Sequence, residues 1–214
     1  MSILKLLVDY QLFPPIALFL ALKEPKNLEW EQSDHFQKMQ YRNRFEIRSA
    51  TGLLMVTYPL AGGRDQGGKP MNEIRLLREP KKIMENWRSL YSAYNNSPFF
   101  KFYQPSLEPL LLDPPELLTD FCQRGMEWVL KQLKWKVELS HTKQWEREMH
   151  TLEILDFRGH LRPSNRLKYE MPEYYQTFDL PFEPNLSILD LLFNLGPEAR
   201  TFIDRSVPIK NIPH

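Results

Sequence analysis

Two arginines flank an amide in Tyr41-Arg42-Asn43-Arg44, inside a stretch whose residue types otherwise suit a β-strand. A guanidinium is a planar fork that grips phosphate or carboxylate through two parallel hydrogen bonds. Strand alternation places Arg42, Arg44, Glu46 and Arg48 on one face and Tyr41, Asn43, Phe45 and Ile47 on the other. The first set, with Lys38 just upstream, reads as an anion clamp or as the solvated side of a hairpin. A second constellation is Ser187, Asp190 and Asn194, a thin polar stripe on a helix that is otherwise apolar nearly all round. Small polar groups on a buried helix need partners, either neighbouring backbone and loops or a ligand.

Other chemistry is poorly supported. Gly63 to Pro70 approaches the phosphate-loop pattern, but Pro70 replaces the magnesium-binding hydroxyl and no helix pattern follows. A flexible hairpin loop, or a lid over a site, is the expectation there. Glu31, Asp34 and His35 lie close together, yet no second histidine stands at ligand spacing, so no metal site is expected. His141, His150 and His160 are scattered, and Cys122 sits on an apolar helix face as an inert packed thiol.

The elements that must position these groups follow from periodicity and punctuation. Leu4 to Val8 and Asn27 to Glu31 read as strands, with a helix opened by Pro15 between them. Arg44 to Arg48 and Leu53 to Tyr58 form a hairpin around Thr51-Gly52, and Asn72 to Leu77 is a further strand. Helices are expected over Ile83 to Tyr94, Phe99 to Leu112 and Leu118 to Leu133, followed by a short strand at Lys136 to Ser140. The span 142–182 has no clear period, and a substrate lid or a dimer arm both fit it. Asn185 then caps a closing helical pair broken at Gly196-Pro197. The expected fold is a single mixed α/β domain over residues 1–214, its mixed sheet drawn from the N-terminal half with helices packed on it.

Composition sets limits on partners. A formal charge of +1 and the lack of a basic stripe argue against nucleic acid. One cysteine cannot form an internal disulfide, which fits a reducing compartment. The apolar stretch from Ile3 to Leu22 is broken by Lys5, Asp9, Gln11 and Pro14-Pro15, so it reads as neither a membrane span nor a signal peptide.

Four segments in order resemble the WbqC-like protein family. They are Phe13-Pro14-Pro15-Ile16 with Phe19; Gln37-Lys38-Met39-Gln40-Tyr41-Arg42-Asn43-Arg44; Trp87-Arg88 leading to Ser97-Pro98-Phe99-Phe100; and Pro184 to Pro197. Phe45 stands where that resemblance leads one to expect a cysteine, and Asn86 where it leads one to expect a histidine. The resemblance implies a bacterial cytoplasmic protein linked to surface polysaccharide biosynthesis, a transferase acting on a nucleotide-linked or amino sugar. On that reading Lys38, Arg42 and Arg44 hold the anionic part of a small molecule such as a nucleotide sugar. Asn43 and Asn194 orient polar groups. Asp190 is the general base, with Glu31 and Asp34 in reserve. The rival is a non-catalytic binding or assembly protein for the same machinery. A third view has the arginines locking the fold in ion pairs. The cofactor and the oligomeric state, a homo-oligomer included, stay open.

Overall fold

The computed structural model describes residues 3–143 and 153–208. Its centre is β1 (Lys5–Val8), whose Leu6, Leu7 and Val8 are apolar because the strand is covered on both faces. Parallel strands require a crossover, and α1 (Ile16–Ala21), buried at all six positions, carries the chain to β2 (Asn27–Trp30). The register pairs Leu6 with Leu28 and Val8 with Trp30. Far along the chain, β5 (Glu138–His141) adds beside β2, and β6 (Ile154–Asp156) adds on the other side of β1. The sheet is wholly parallel, in the order β5-β2-β1-β6.

A separate antiparallel hairpin joins β3 (Arg44–Ser49) to β4 (Gly52–Thr57), pairing Phe45 with Val56 and Ile47 with Leu54. Gly52 takes φ +112 at the turn, a conformation L side chains rarely adopt. The expected mixed α/β class is what the chain adopts. The strands, however, divide into two sheets, and half of the parallel one comes from residues beyond 137.

Beside the hairpin lies α2 (Pro80–Tyr94), with α3 (Phe100–Leu112) packed on α2 and α4 (Leu118–Gln132) packed on α3. Their core faces are those the 3.6-residue spacing picks out, Ile83, Trp87, Leu90 and Tyr94 on α2 among them. Phe13 turns the chain at φ +42 and sets its ring edge-on to Phe45, Phe121 and Trp128, while Gly125 on α4 comes close enough for an added Cβ to touch that ring. The chain closes with α5 (Ile188–Leu195) and α6 (Glu198–Arg205). Gly196 between them has φ +53 and lies against the Phe99 ring, where a Cβ would collide.

Three local expectations change. Asn72 to Leu77 is a short 3-10 turn at Met71–Glu73 followed by isolated bridges, Arg75 to Leu117 and Leu76 to Leu60, with Met71 and Ile74 plugged into the core. The glycine loop is pinned rather than free. Phe36 N–H donates to Lys69 C=O at 2.7 Å, Gly68 N–H to Phe36 C=O at 2.9 Å, and Met71 N–H to Asp34 C=O at 2.9 Å. Asn185 does not cap its own helix. Its Oδ1 accepts from Ala17 N–H at 2.9 Å, capping α1, while Ser187 caps α5 and donates to Phe13 C=O at 2.8 Å. An antiparallel bridge between Pro15 and Ser187 seals the two helix starts together.

Candidate functional site

Order β5-β2-β1-β6 puts a topological switch between β1 and β6, because the chain adds β2 on one side of β1 and later adds β6 on the other. In open parallel sheets, ligands sit outside the carboxyl ends of the strands at such a point. Here those ends carry Asp9, Tyr10, Glu31, His141, Thr142, Asp156 and Arg158. Backbone bonds extend the ladder one residue past β2, β5 and β6: Glu31 N–H to Val8 C=O, Thr142 N–H to Trp30 C=O, and Phe157 N–H to Leu7 C=O, all within 2.9 Å. The side chains at this edge are therefore carried on rigid supports.

Two ion clusters occupy the edge. Arg158 reaches Asp156 through Nε at 2.9 Å and Nη2 at 2.6 Å, and Glu31 Oε2 through Nη1 at 2.8 Å. Hydrogen bonds to Asp156, opposed by burial and aided by both negative charges, stabilise that guanidinium's charge. The other oxygen of Glu31 accepts from the Thr142 hydroxyl at 2.9 Å and from Ser33 N–H at 3.0 Å. The second cluster centres on Arg42, whose Nη2 lies 3.1 Å from Asp9 Oδ2 and also contacts Asp34 Oδ2. Gln11 donates to Asp9 Oδ1 at 2.9 Å. Four carboxylates thus face two guanidiniums, and the edge is acidic on balance.

Arg42 and Arg44 do not share a face. The strand starts at Arg44, and Arg42 sits in the preceding turn with its side chain 2% exposed, directed toward Asp9 and Asp34. Arg44 is half-buried and touches Met39 Sδ. Lys38 is exposed and lies along Gly67, so close that a Cβ there would press on its Cε. Asn43 is buried and donates to Tyr58 C=O at 2.7 Å, a core partner as alternation implied.

The α5 stripe forms a second, closed network. Asp190 is fully buried. It accepts from Tyr94 Oη at 2.6 Å on one oxygen, and from Tyr174 Oη and Gln176 Nε2 on the other. Burial pushes its carboxyl above the usual range, opposed by those hydrogen bonds and by the charge of Arg48. Asn194 accepts from Thr177 Oγ1 at 2.7 Å and donates to Asp190 C=O at 2.8 Å. Around this core, Arg48 meets Glu183, and Arg166 bridges Glu183 and Glu46.

The structure brings Glu31, Asp34 and Arg42 to the sheet edge and leaves Asp190 and Asn194 in the other network. Sequence reading passed over Asp9, Tyr10, His141, Asp156 and Arg158. A usable signal was present for one of them. Asp9 directly follows the apolar run Leu4 to Val8, just as Glu31 follows Asn27 to Trp30, and polar residues at the exits of parallel strands are where sites form. Among the described residues no cluster of three or more side chains has metal-binding geometry, and no helix is long and apolar enough to cross a membrane. Cys122 is buried in α4, its thiol donating to Arg42 C=O at 3.4 Å, and burial pushes its pKa up.

A search of curated proteins finds no match, and neither does a search of solved structures. The model of the WbqC-like protein family matches residues 11–161 and 163–202, nearly the whole described chain. The chain belongs to the WbqC-like protein family.

Proposed function

We propose that this protein is a group transferase acting on a nucleotide-linked or amino sugar in surface polysaccharide biosynthesis, with the substrate seated at the carboxyl edge of the parallel sheet. Family membership fits a role connected with polysaccharide biosynthesis. The observation that carries the reading is the convergence of Glu31, Asp34, Asp156 and Arg158 beside the β1/β6 switch point. Carboxylates there suit the hydroxyls and ammonium of an amino sugar, since they accept several hydrogen bonds each. Of the three candidate bases, Asp190 is fully buried and the Glu31 side chain is 2% exposed, whereas Asp34 is 18% exposed. Asp34 therefore takes the general-base role, with Arg42 holding it in place. Lys38 and Arg44, on the open side, meet the anionic part. Asn43 and Asn194 stay with their internal partners.

Phe45 and Asn86, where the resemblance leads one to expect a cysteine and a histidine, would favour the rival binding or assembly protein if they stood at the site. Both are structural in this chain: Phe45 packs on Phe13 at 5.3 Å between centroids, and Asn86 donates to Thr57 C=O at 2.9 Å. Neither belongs to the edge, so neither weighs against chemistry there.

A thermal-shift panel of nucleotide sugars and free amino sugars tests the proposal on wild type and Asp34→Asn. Wild type is expected to be stabilised by one class, and Asp34→Asn to keep binding while losing product in a mass-spectrometric transfer assay. A panel that leaves wild type unmoved would sink the transferase reading. Stabilisation without any product from wild type would favour the binding protein.

A further inference from the structure

Trp30 and His141 are register partners at the carboxyl ends of β2 and β5, and Tyr10 follows β1 beside them. The three rings stack. Tyr10 lies 5.7 Å from Trp30 at 5° between planes, and Trp30 lies 5.3 Å from His141 at 29°. Tyr10 and Trp30 are buried, while His141 is exposed. Tyr10 Oη is 2.8 Å from His141 Nδ1. His141 is thus fixed by one ring nitrogen and one ring face, with the opposite edge of the ring turned away from its support.

The chemistry of the pair decides which nitrogen carries the proton. Burial, with lesser contributions from Cys122, Asp120 and Glu31, raises the Tyr10 phenol, so it keeps its hydrogen. A buried O–H needs an acceptor, and Nδ1 is the one at hand. Once Nδ1 accepts, the neutral imidazole must carry its hydrogen on Nε2. The next residue, Thr142, projects to the opposite face and there donates to Glu31 and accepts from Gln32 N–H at 3.0 Å, so the ring and the acidic cluster flank one strand end. Arg42 and Arg158 are already engaged by carboxylates, so a ligand oxygen at this end meets His141 as an N–H donor without a carboxylate partner among the described contacts.

We propose that His141 is a substrate-contacting hydrogen-bond donor of the edge site, presenting Nε2–H to a phosphoryl oxygen of a nucleotide-linked sugar, and that Tyr10 is the positioning residue that sets its tautomer. The ligand contact rests on the transferase reading. The tautomer does not.

Long-range proton–nitrogen correlation spectra of the imidazole rings, assigned with His141→Ala, read the tautomer directly. Wild type shows Nε2–H with Nδ1 as acceptor, and Tyr10→Phe, which keeps the ring stack, moves both nitrogens toward a tautomer mixture. A wild-type Nδ1–H signal, or spectra unchanged by Tyr10→Phe, would overturn the positioning role. Titration with UDP-glucose and UDP-N-acetylglucosamine then reads the contact. His141 Nε2 shifts on binding, His141→Ala weakens binding about tenfold, and His141→Gln recovers part of the loss through its own amide N–H. Shifts at Glu31 and Arg158 with His141 unmoved overturn the contact alone. No shift at any residue overturns the contact and the transferase reading together.

Discussion

Two acidic polar networks lie in this molecule, and they are built to opposite ends. Around Asp190 every donor is a neutral phenol or amide, the nearest guanidinium acts from a distance, and water is excluded. At the sheet edge the carboxylates are held by direct ion pairs, and Asp34, Arg158 and Asp156 keep side-chain exposures of 18%, 14% and 26%. A buried carboxylate with both oxygens engaged inside the protein specifies one packing of its neighbours. A network that leaves Asp34 and Asp156 partly open has capacity left for a ligand. The contrast separates a polar core from a site even though both carry aspartate, tyrosine and arginine.

Arg42 is the hinge of this comparison, since it lies at the edge but is buried like the closed network. Arg42→Ala strands Asp9, whose side chain is 1% exposed, and should cost about 3–5 kcal/mol in urea unfolding. A loss under about 1 kcal/mol would move Arg42 to the open, ligand-facing group. Tyr94→Phe comes next. It removes the donor to Asp190 and the acceptor for Arg48 N–H at 3.1 Å, and about 1–3 kcal/mol should vanish with no change in ligand response. A changed ligand response would erase the line between the two regions.

Asp190 also makes a prediction about pH. Its folded pKa is raised, so at low pH, where both states are protonated, burial carries no penalty. As pH rises through the unfolded value near 4, the unfolded state ionises first and stability falls, until the folded carboxyl ionises too. The stability of wild type relative to Asp190→Asn should therefore decline with rising pH from about 4, measured by paired denaturation curves. A difference that rises instead would mean the hydrogen bonds outweigh burial. The smallest effect belongs to Asp156→Asn at the open edge. Arg158 keeps Glu31, so stability should change by about 0–1 kcal/mol while the response to sugars weakens.

What was legible in the sequence was local. The strand Leu4 to Val8, the hairpin and the faces of α2 to α5 follow from patterns a few residues long. The site was less so, because its contacts are long-range. Arg42 finds Asp9 across 33 positions and Arg158 finds Glu31 across 127. Alternation misplaced Arg42 because it extends a strand through Tyr41 and Arg42, where the backbone turns. Residues 142–182 showed no period because much of that span makes single reaching contacts. Tyr174 and Gln176 go to Asp190, Thr177 to Asn194 and Arg166 to Glu46, so they do not repeat along a regular element. Within it, 144–152 lies outside the described residues, and the lid and dimer-arm readings of the span stay as proposals.

The cap that Asn185 places on α1 has a temporal meaning. The helix linking the two central strands gets its side-chain cap from a residue made 168 positions after Ala17. At ordinary rates of synthesis, about 5–20 residues per second, that is a wait of roughly ten to thirty seconds. Through it, a six-residue helix of wholly apolar side chains has neither its cap nor α6, the helix it packs against. The first half of this protein is thus made long before it can be finished, and its early life depends on whatever shields those side chains until the end of the chain arrives.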